Sequence, residues 1–118
     1  LAVKFLFKPG STAFWPDPEV SGPYDLWLQQ IAARLLMRST ACMEIVGHTS
    51  RTGPKGLNER LSLLRAETIK HRLQLEAPAL ASRMIANGVG WRENIVGTGT
   101  DDVTDALDRR VEFKMMAC

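Results

Sequence analysis

The chain has 118 residues, with 15 Lys and Arg against 13 Asp and Glu, a net charge of +2, and 45% hydrophobic residues. That length and composition suit one globular domain, 1–118, with its own core. No apolar run reaches the ~20 residues that span a bilayer. The near-neutral charge balance argues against nucleic acid. Two Cys and two His fall short of a four-ligand structural zinc site, so neither metal nor cofactor is expected. The chain opens at Leu1 without Met and runs straight into strand-like sequence. It therefore reads as an excised domain or processed product, with any membrane anchor in a segment outside it.

Val3, Phe5 and Phe7 alternate with Lys4, Leu6 and Lys8, the period-two pattern of a strand, closed by Pro9-Gly10-Ser11. Residues 9–22 hold four of the six prolines and read as a loop with a short turn. A helix begins near Ser21-Gly22-Pro23, carries Leu26, Leu28, Ile31 and Leu35, and ends near Met37-Arg38-Ser39. Residues 41–46 are mostly apolar and predict a central strand. The polar, glycine-bearing stretch Gly47-His48-Thr49-Ser50-Arg51-Thr52-Gly53-Pro54 leaves that strand as a loop. A long helix follows over 57–75 and is stopped by Pro78. Residues 83–89 predict a weaker strand, 91–108 a loop with a helical turn near Val103–Leu107, and 110–116 a last strand. The order is βαβαββ. It predicts an α/β fold of the α+β type, a two-layer sandwich with a mixed four-stranded sheet and two main helices on one face.

The long helix carries an anomaly. Advancing ~100° per residue, Leu57, Leu61, Leu64 and Thr68 form one stripe. Ser62, Ala66, Ile69 and Leu73 form a second. Asn58, Arg65 and Arg72 lie between the two, inside the arc expected to be buried. Arg72 is near the helix end, where it can snorkel or meet terminal carbonyls. Arg65 is mid-helix and needs a carboxylate, from this chain or from a ligand.

These residues also carry a family resemblance. Gly47-His48-Thr49-Ser50-Arg51-Thr52-Gly53, then Asn58, Leu61-Ser62 and Arg65-Ala66, resemble the G-H-T-D-x-x-G and N-x-x-L-S-x-x-R-A pattern of the OmpA-like peptidoglycan-binding domain. Arg109-Arg110-Val111-Glu112 resembles the R-R-V-E that opens the family's final strand. The opening Val3-x-Phe5-x-Phe7 and the pair Gly88 and Gly90 extend the resemblance over nearly the whole chain. It implies a non-enzymatic periplasmic module that tethers an envelope protein to the cell wall. Such a module grips the diaminopimelate of the peptidoglycan stem peptide. The family's Asp would take the ligand ammonium, and Arg65 its carboxylate, bidentately.

The resemblance implies a site of Thr49, Ser50, Asn58, Leu61 and Arg65, with one of Arg109 or Arg110 facing the pocket. Serine stands at position 50 where the family pattern has Asp, so the ammonium loses its counter-ion. Three readings stay open. Another acid reaches in, with Asp101, Asp102, Asp105, Asp108 or Asp17 as candidates. The ligand lacks the ammonium or otherwise differs. Or the fold has become a protein-interaction domain. Thr49 and Ser50 can also serve only as turn residues, and Asn58 as a helix-start residue. Leu61 reads as core, although the family's equivalent borders the pocket. His48 and Ser50 lack the elbow motif and orienting acid of a hydrolase. If Ser50 and Arg109 flank one pocket, the second and last strands run antiparallel. Cys42 and Cys118 then share the far end of the sheet, where an oxidising periplasm would let them pair.

Overall fold

The computed structural model describes residues 3–50, 53–93 and 107–118. Strand β1 is Phe5–Leu6, helix α1 Pro18–Ser21, helix α2 Tyr24–Met37, strand β2 Ala41–Gly47, helix α3 Lys55–Glu76, strand β3 Met84–Gly88 and strand β4 Arg110–Ala117. A 3-10 segment, Pro78–Arg83, joins α3 to β3. The sheet order is β1-β4-β2-β3. β4 runs antiparallel to both β1 and β2, and β3 parallel to β2. This is the mixed four-stranded sheet with helices that the residue pattern predicts, and β2 is an inner strand. The helical turn expected at Val103–Leu107 lies largely outside the described residues.

Local chemistry sets the boundaries. Asp17 caps α1, its side chain accepting from the Glu19 N–H at 3.0 Å, and Pro18 occupies the first turn, where a missing N–H costs nothing. Pro23 and Pro54 immediately precede α2 and α3, while Pro78 follows the Ala77 that caps α3. Arg83 donates to the carbonyls of Ala41 (2.9 Å), Leu35 and Arg38, so it holds the C-terminal end of α2 beside the start of β2.

Helices α2 and α3 cover one sheet face. Phe5, Phe7, Met43, Ile45, Met84, Val111 and Phe113 meet Tyr24, Leu28, Ile31, Leu35, Ala66, Ile69 and Leu73 in one core. The aromatic end is dense. Phe5 lies within 5.9 Å, centroid to centroid, of Phe14, Tyr24, Trp27 and Phe113. Burial raises the Tyr24 hydroxyl pKa against the opposing effect of its bond to Leu6, whose N–H it accepts at 2.9 Å.

Two details differ from the sequence expectation. β1 is only two residues long; Phe7 still donates its N–H to Arg109 C=O at 2.8 Å but also bridges Phe14, and the chain turns at Gly10, φ 62°. The short turn expected in this loop is built over residues 8–13, closed by Lys8 N–H to Ala13 C=O at 2.9 Å. Helix α3 also sits rotated from the symmetric arc. Its buried line is Asn58, Ser62, Arg65, Ala66, Ile69 and Leu73, while Leu57 and Leu64 are 63% and 44% exposed. The cause is close approach by the second stripe. A Cβ on Gly47 would fall 1.8 Å from the Ser62 carbonyl oxygen, and one on Gly88 2.4 Å from the Leu63 nitrogen. Only glycine lets the α3 backbone lie this close to the ends of β2 and β3.

A disulfide joins Cys42 to Cys118 at the opposite end of the β2–β4 pair, closing a sequence separation of 76. Gly47→Ala should cost about 3 kcal/mol or more, since backbone and not a pliable side chain meets the new methyl; urea unfolding measures it. Reducing the disulfide should lower stability by about 4 kcal/mol on the loop-entropy model. Guanidinium midpoints with and without reductant check this, and equal midpoints would refute it.

Candidate functional site

The C-terminal end of β2 runs into His48, Thr49 and Ser50, all buried. Two bonds hold this segment between its neighbours. The His48 N–H donates to Arg110 C=O (2.8 Å), and the Thr49 N–H to Gly90 C=O (2.8 Å). Gly90 is held in turn by α3, its N–H donating to Ser62 Oγ at 2.9 Å. The first three turns of α3 lie beside this segment. Between them opens a cavity of about 310 Å³, lined by Gly10, Thr49, Ser50, Leu57, Asn58, Arg60, Leu61, Leu64 and Arg65.

Five residues singled out from the sequence therefore share one wall: Thr49, Ser50, Asn58, Leu61 and Arg65. Leu61 is half-buried and borders the cavity rather than filling the core. The rest of the lining does not emerge from the motifs. Leu57 and Leu64 share a helical stripe with Leu61, and that stripe, which the helical wheel places in the buried arc, is the signal that points to them. Arg60 follows from the same spacing. Gly10 is linked to the site by no local sequence signal; the tertiary contact of Arg65 brings its turn there.

Arg65 is completely buried. Its Nε donates to Ser11 C=O (2.9 Å), Nη1 to His48 C=O (3.0 Å) and Nη2 to Lys8 C=O (2.8 Å). Its guanidinium carbon lies 5.4 Å from the centroid of the Phe7 ring. Among the described residues, three carbonyl dipoles converge on this one cation. Arg72, on the same line, takes Asp25 on α2 rather than helix-end carbonyls.

Neither Arg109 nor Arg110 is in the described lining of the cavity. Arg109 Nε donates to Phe7 C=O (3.1 Å), and its guanidinium stacks over Trp15 at 5.2 Å. Arg110 lies on the sheet face away from the helices. There it pairs with Glu112 and donates through Nη2 to Glu93 C=O at 2.9 Å. Each of them meets backbone or carboxylate acceptors on its own side of β4. Asp108 is fully buried and outside that lining, while Asp17 is exposed beside α1. Asp101, Asp102 and Asp105 lie outside the described residues.

Thr49 Oγ1, in the cavity wall, is buried with no hydrogen-bond partner among the described residues, as are His48 Nδ1 and Arg110 Nη1 away from the cavity lining. An unmet buried donor or acceptor costs ~1–3 kcal/mol. Burial first, and then the Arg110 charge, lower the His48 pKa from 6.5 to about 4, with Glu112 opposing. Desolvation pushes the Glu112 carboxyl up, but the hydrogen bond and charge of Arg110 outweigh it and hold the pKa below its usual value. The folded His48 therefore refuses a proton that the unfolded chain accepts between pH 6.5 and about 4. Stability present above pH 6.5 should fall through that window by at most ~3 kcal/mol, and His48→Gln should flatten the fall. Thermal melts from pH 7 to 4 measure the slope; an unchanged slope in the variant would refute it.

The chain's relatives agree with this architecture. Outer membrane protein Omp38 of Acinetobacter baumannii is 37% identical over 92 residues, covering 78% of this chain and 26% of that protein. Outer membrane porin F of Pseudomonas fluorescens is 35% identical over 75 residues, 64% of this chain and 22% of that protein. The chain thus spans about a quarter of the length of these relatives. The peptidoglycan-associated lipoprotein of Burkholderia pseudomallei superposes with a TM-score of 0.81 at 24% identity, over 96% of this chain and 89% of that one. The C-terminal domain of Helicobacter pylori MotB superposes at 0.74 with 17% identity, over 100% and 87%; at these identities the likeness speaks for the fold. No described helix is long and apolar enough to cross a membrane. The OmpA family model matches residues 6–106, which run from the end of β1 past β3, and the chain belongs to the OmpA family.

Proposed function

We propose that this domain binds peptidoglycan non-covalently through the diaminopimelate of the stem peptide, and so tethers an envelope protein to the cell wall. The observation that carries the reading is the convergence of Thr49, Ser50, Asn58, Leu61 and Arg65 on one cavity. The OmpA family is generally peptidoglycan-associated, and the Burkholderia neighbour is named for that association. Arg60 and Arg65 give the cavity a positive wall that draws the ligand carboxylate. Leu57, Leu61 and Leu64 pack against its methylene chain, and the Thr49 hydroxyl offers it a hydrogen bond. The ammonium meets the Ser50 hydroxyl, a neutral partner where the family pattern has a carboxylate. Arg109 and Arg110 hold the strand ends in this reading and do not touch ligand. The mode of action is binding, not catalysis. The Cys42–Cys118 disulfide suits an oxidising periplasm.

One observation favours a second reading, a protein-interaction domain without diaminopimelate binding. Position 50 carries a neutral hydroxyl, and the described hydrogen bonds of Arg65 go to its own chain. Retention on purified diaminopimelate-type sacculi separates the two. The parent domain should be retained, Leu61→Trp should abolish retention by filling the cavity, and Ser50→Asp should strengthen it about tenfold by restoring a counter-charge. A parent that passes through unretained, with Ser50→Asp equally unretained, would overturn the proposal in favour of the interaction domain. Arg65→Ala should also lose retention, but it removes bonds to three carbonyls and costs about 3 kcal/mol or more of stability. The cavity-filling variant is therefore the cleaner test.

A further inference from the structure

The two outer strands of the sheet are finished differently. At β1 the edge is sealed: the Leu6 N–H is held by Tyr24 Oη and the Leu6 C=O by the Trp15 N–H, both at 2.9 Å. β3 forms the other edge. The Val89 N–H donates to Gly47 C=O at 3.1 Å, so by alternation the backbone groups of Ile85 and Asn87 face β2. Those of Met84, Ala86 and Gly88 point outward. The Gly88 end is capped by Asn87, whose Oδ1 accepts the Gly88 N–H at 3.0 Å. Among the described residues, no hydrogen bond is made by the N–H and C=O of Ala86 or by the C=O of Met84 across this edge. The strand is Met84-Ile85-Ala86-Asn87-Gly88, with neither the charge nor the proline that guards a free edge. Ile85 is 56% exposed. Beside it runs an open groove of about 480 Å³ whose far wall is Glu67, Lys70, His71 and Gln74 of α3.

We propose that this edge pairs with the same edge of a second copy of the chain, antiparallel, about a two-fold axis at Ile85. The outward groups are self-complementary about that residue. The Ala86 N–H of each copy meets the Met84 C=O of the other. The two Ile85 side chains then oppose each other as a non-hydrogen-bonded pair, ~4.5 Å between Cα atoms. Two four-stranded sheets become one of eight, in a closed isologous dimer. Glu67 and Lys70 lie about one helical turn apart on the flank of α3, so the axis offers each copy's lysine the other's glutamate. The cavity uses α3 residues 57–65 and the groove residues 67–74, so pairing leaves both cavities open. A dimer thereby presents two binding cavities on one rigid sheet, and avidity multiplies a modest single-site affinity.

Sedimentation equilibrium of the chain tests this. The expected result is a concentration-dependent dimer whose dissociation constant rises at least about tenfold in Ile85→Lys and in Ile85→Glu, each of which opposes like charges at the axis. An equimolar mixture of the two variants should recover the dimer. Because Ile85 is exposed, both should melt close to the parent; should either unfold, Ala86→Pro removes the outward N–H without touching a bond to β2. Amide exchange at Ala86 in the unmodified chain should slow as concentration rises. A chain that stays monomeric into the millimolar range would overturn the proposal. So would a dimer that Ile85→Lys and Ile85→Glu leave intact, or an Ala86 amide that is protected only when a foreign extended peptide is added.

Discussion

One buried cation holds the functional end of this molecule together. The Arg65 guanidinium reaches from the middle of α3 to carbonyls on either side of the Gly10 turn and to the carbonyl of His48. It ties the turn after β1 to the segment after β2 through acceptors on both. Because a guanidinium is planar and fan-shaped, three acceptors approaching from different directions must adopt one relative arrangement. The cavity is the space left beside that arrangement. Its shape is a by-product of a structural bond network, so a residue that resembles a ligand contact is also a folding determinant.

The glycines at 47 and 88 make that reach possible. They bring the α3 backbone against the strand ends and rotate the helix so that Ser62, Ala66 and Ile69 face the sheet. The rotation turns the Leu57–Leu61–Leu64 stripe outward, where it becomes the apolar wall of the cavity. A hydrophobic stripe can therefore be present for a ligand rather than for the core, and the distinction is set by two residues far away in sequence.

Much of this is legible in the sequence, and for identifiable reasons. Period-two and period-3.6 patterns locate β2, β4, α2 and α3 to within two residues or so, because each buries one face. The place of Arg65 on the helical wheel is enough to mark it as anomalous. Its partners are not legible. A wheel reports that a charge is buried and says nothing of whether the acceptor is a carboxylate or the backbone of a distant turn. The same limit applies to Arg109 and Arg110, where strand alternation separates their faces but not what waits on each. Leu57 and Leu64 are misassigned by the wheel because an apolar stripe facing a cavity and one facing a core have the same periodicity.

The disulfide and the cavity occupy opposite ends of the same antiparallel pair, β2 and β4. This geometry has a mechanical meaning. In an antiparallel pair, a strand pulled from one terminus can be peeled from its neighbour one bond at a time. Here a pull at Cys118 passes through a covalent bond into Cys42, and β4 cannot unzip from that end. The load enters β2, the inner strand flanked on both sides by hydrogen-bonded partners, and leaves it at His48–Ser50. The path between the two ends then runs along the covalent backbone of β2, and the hydrogen bonds between β2 and β4 are spared the load.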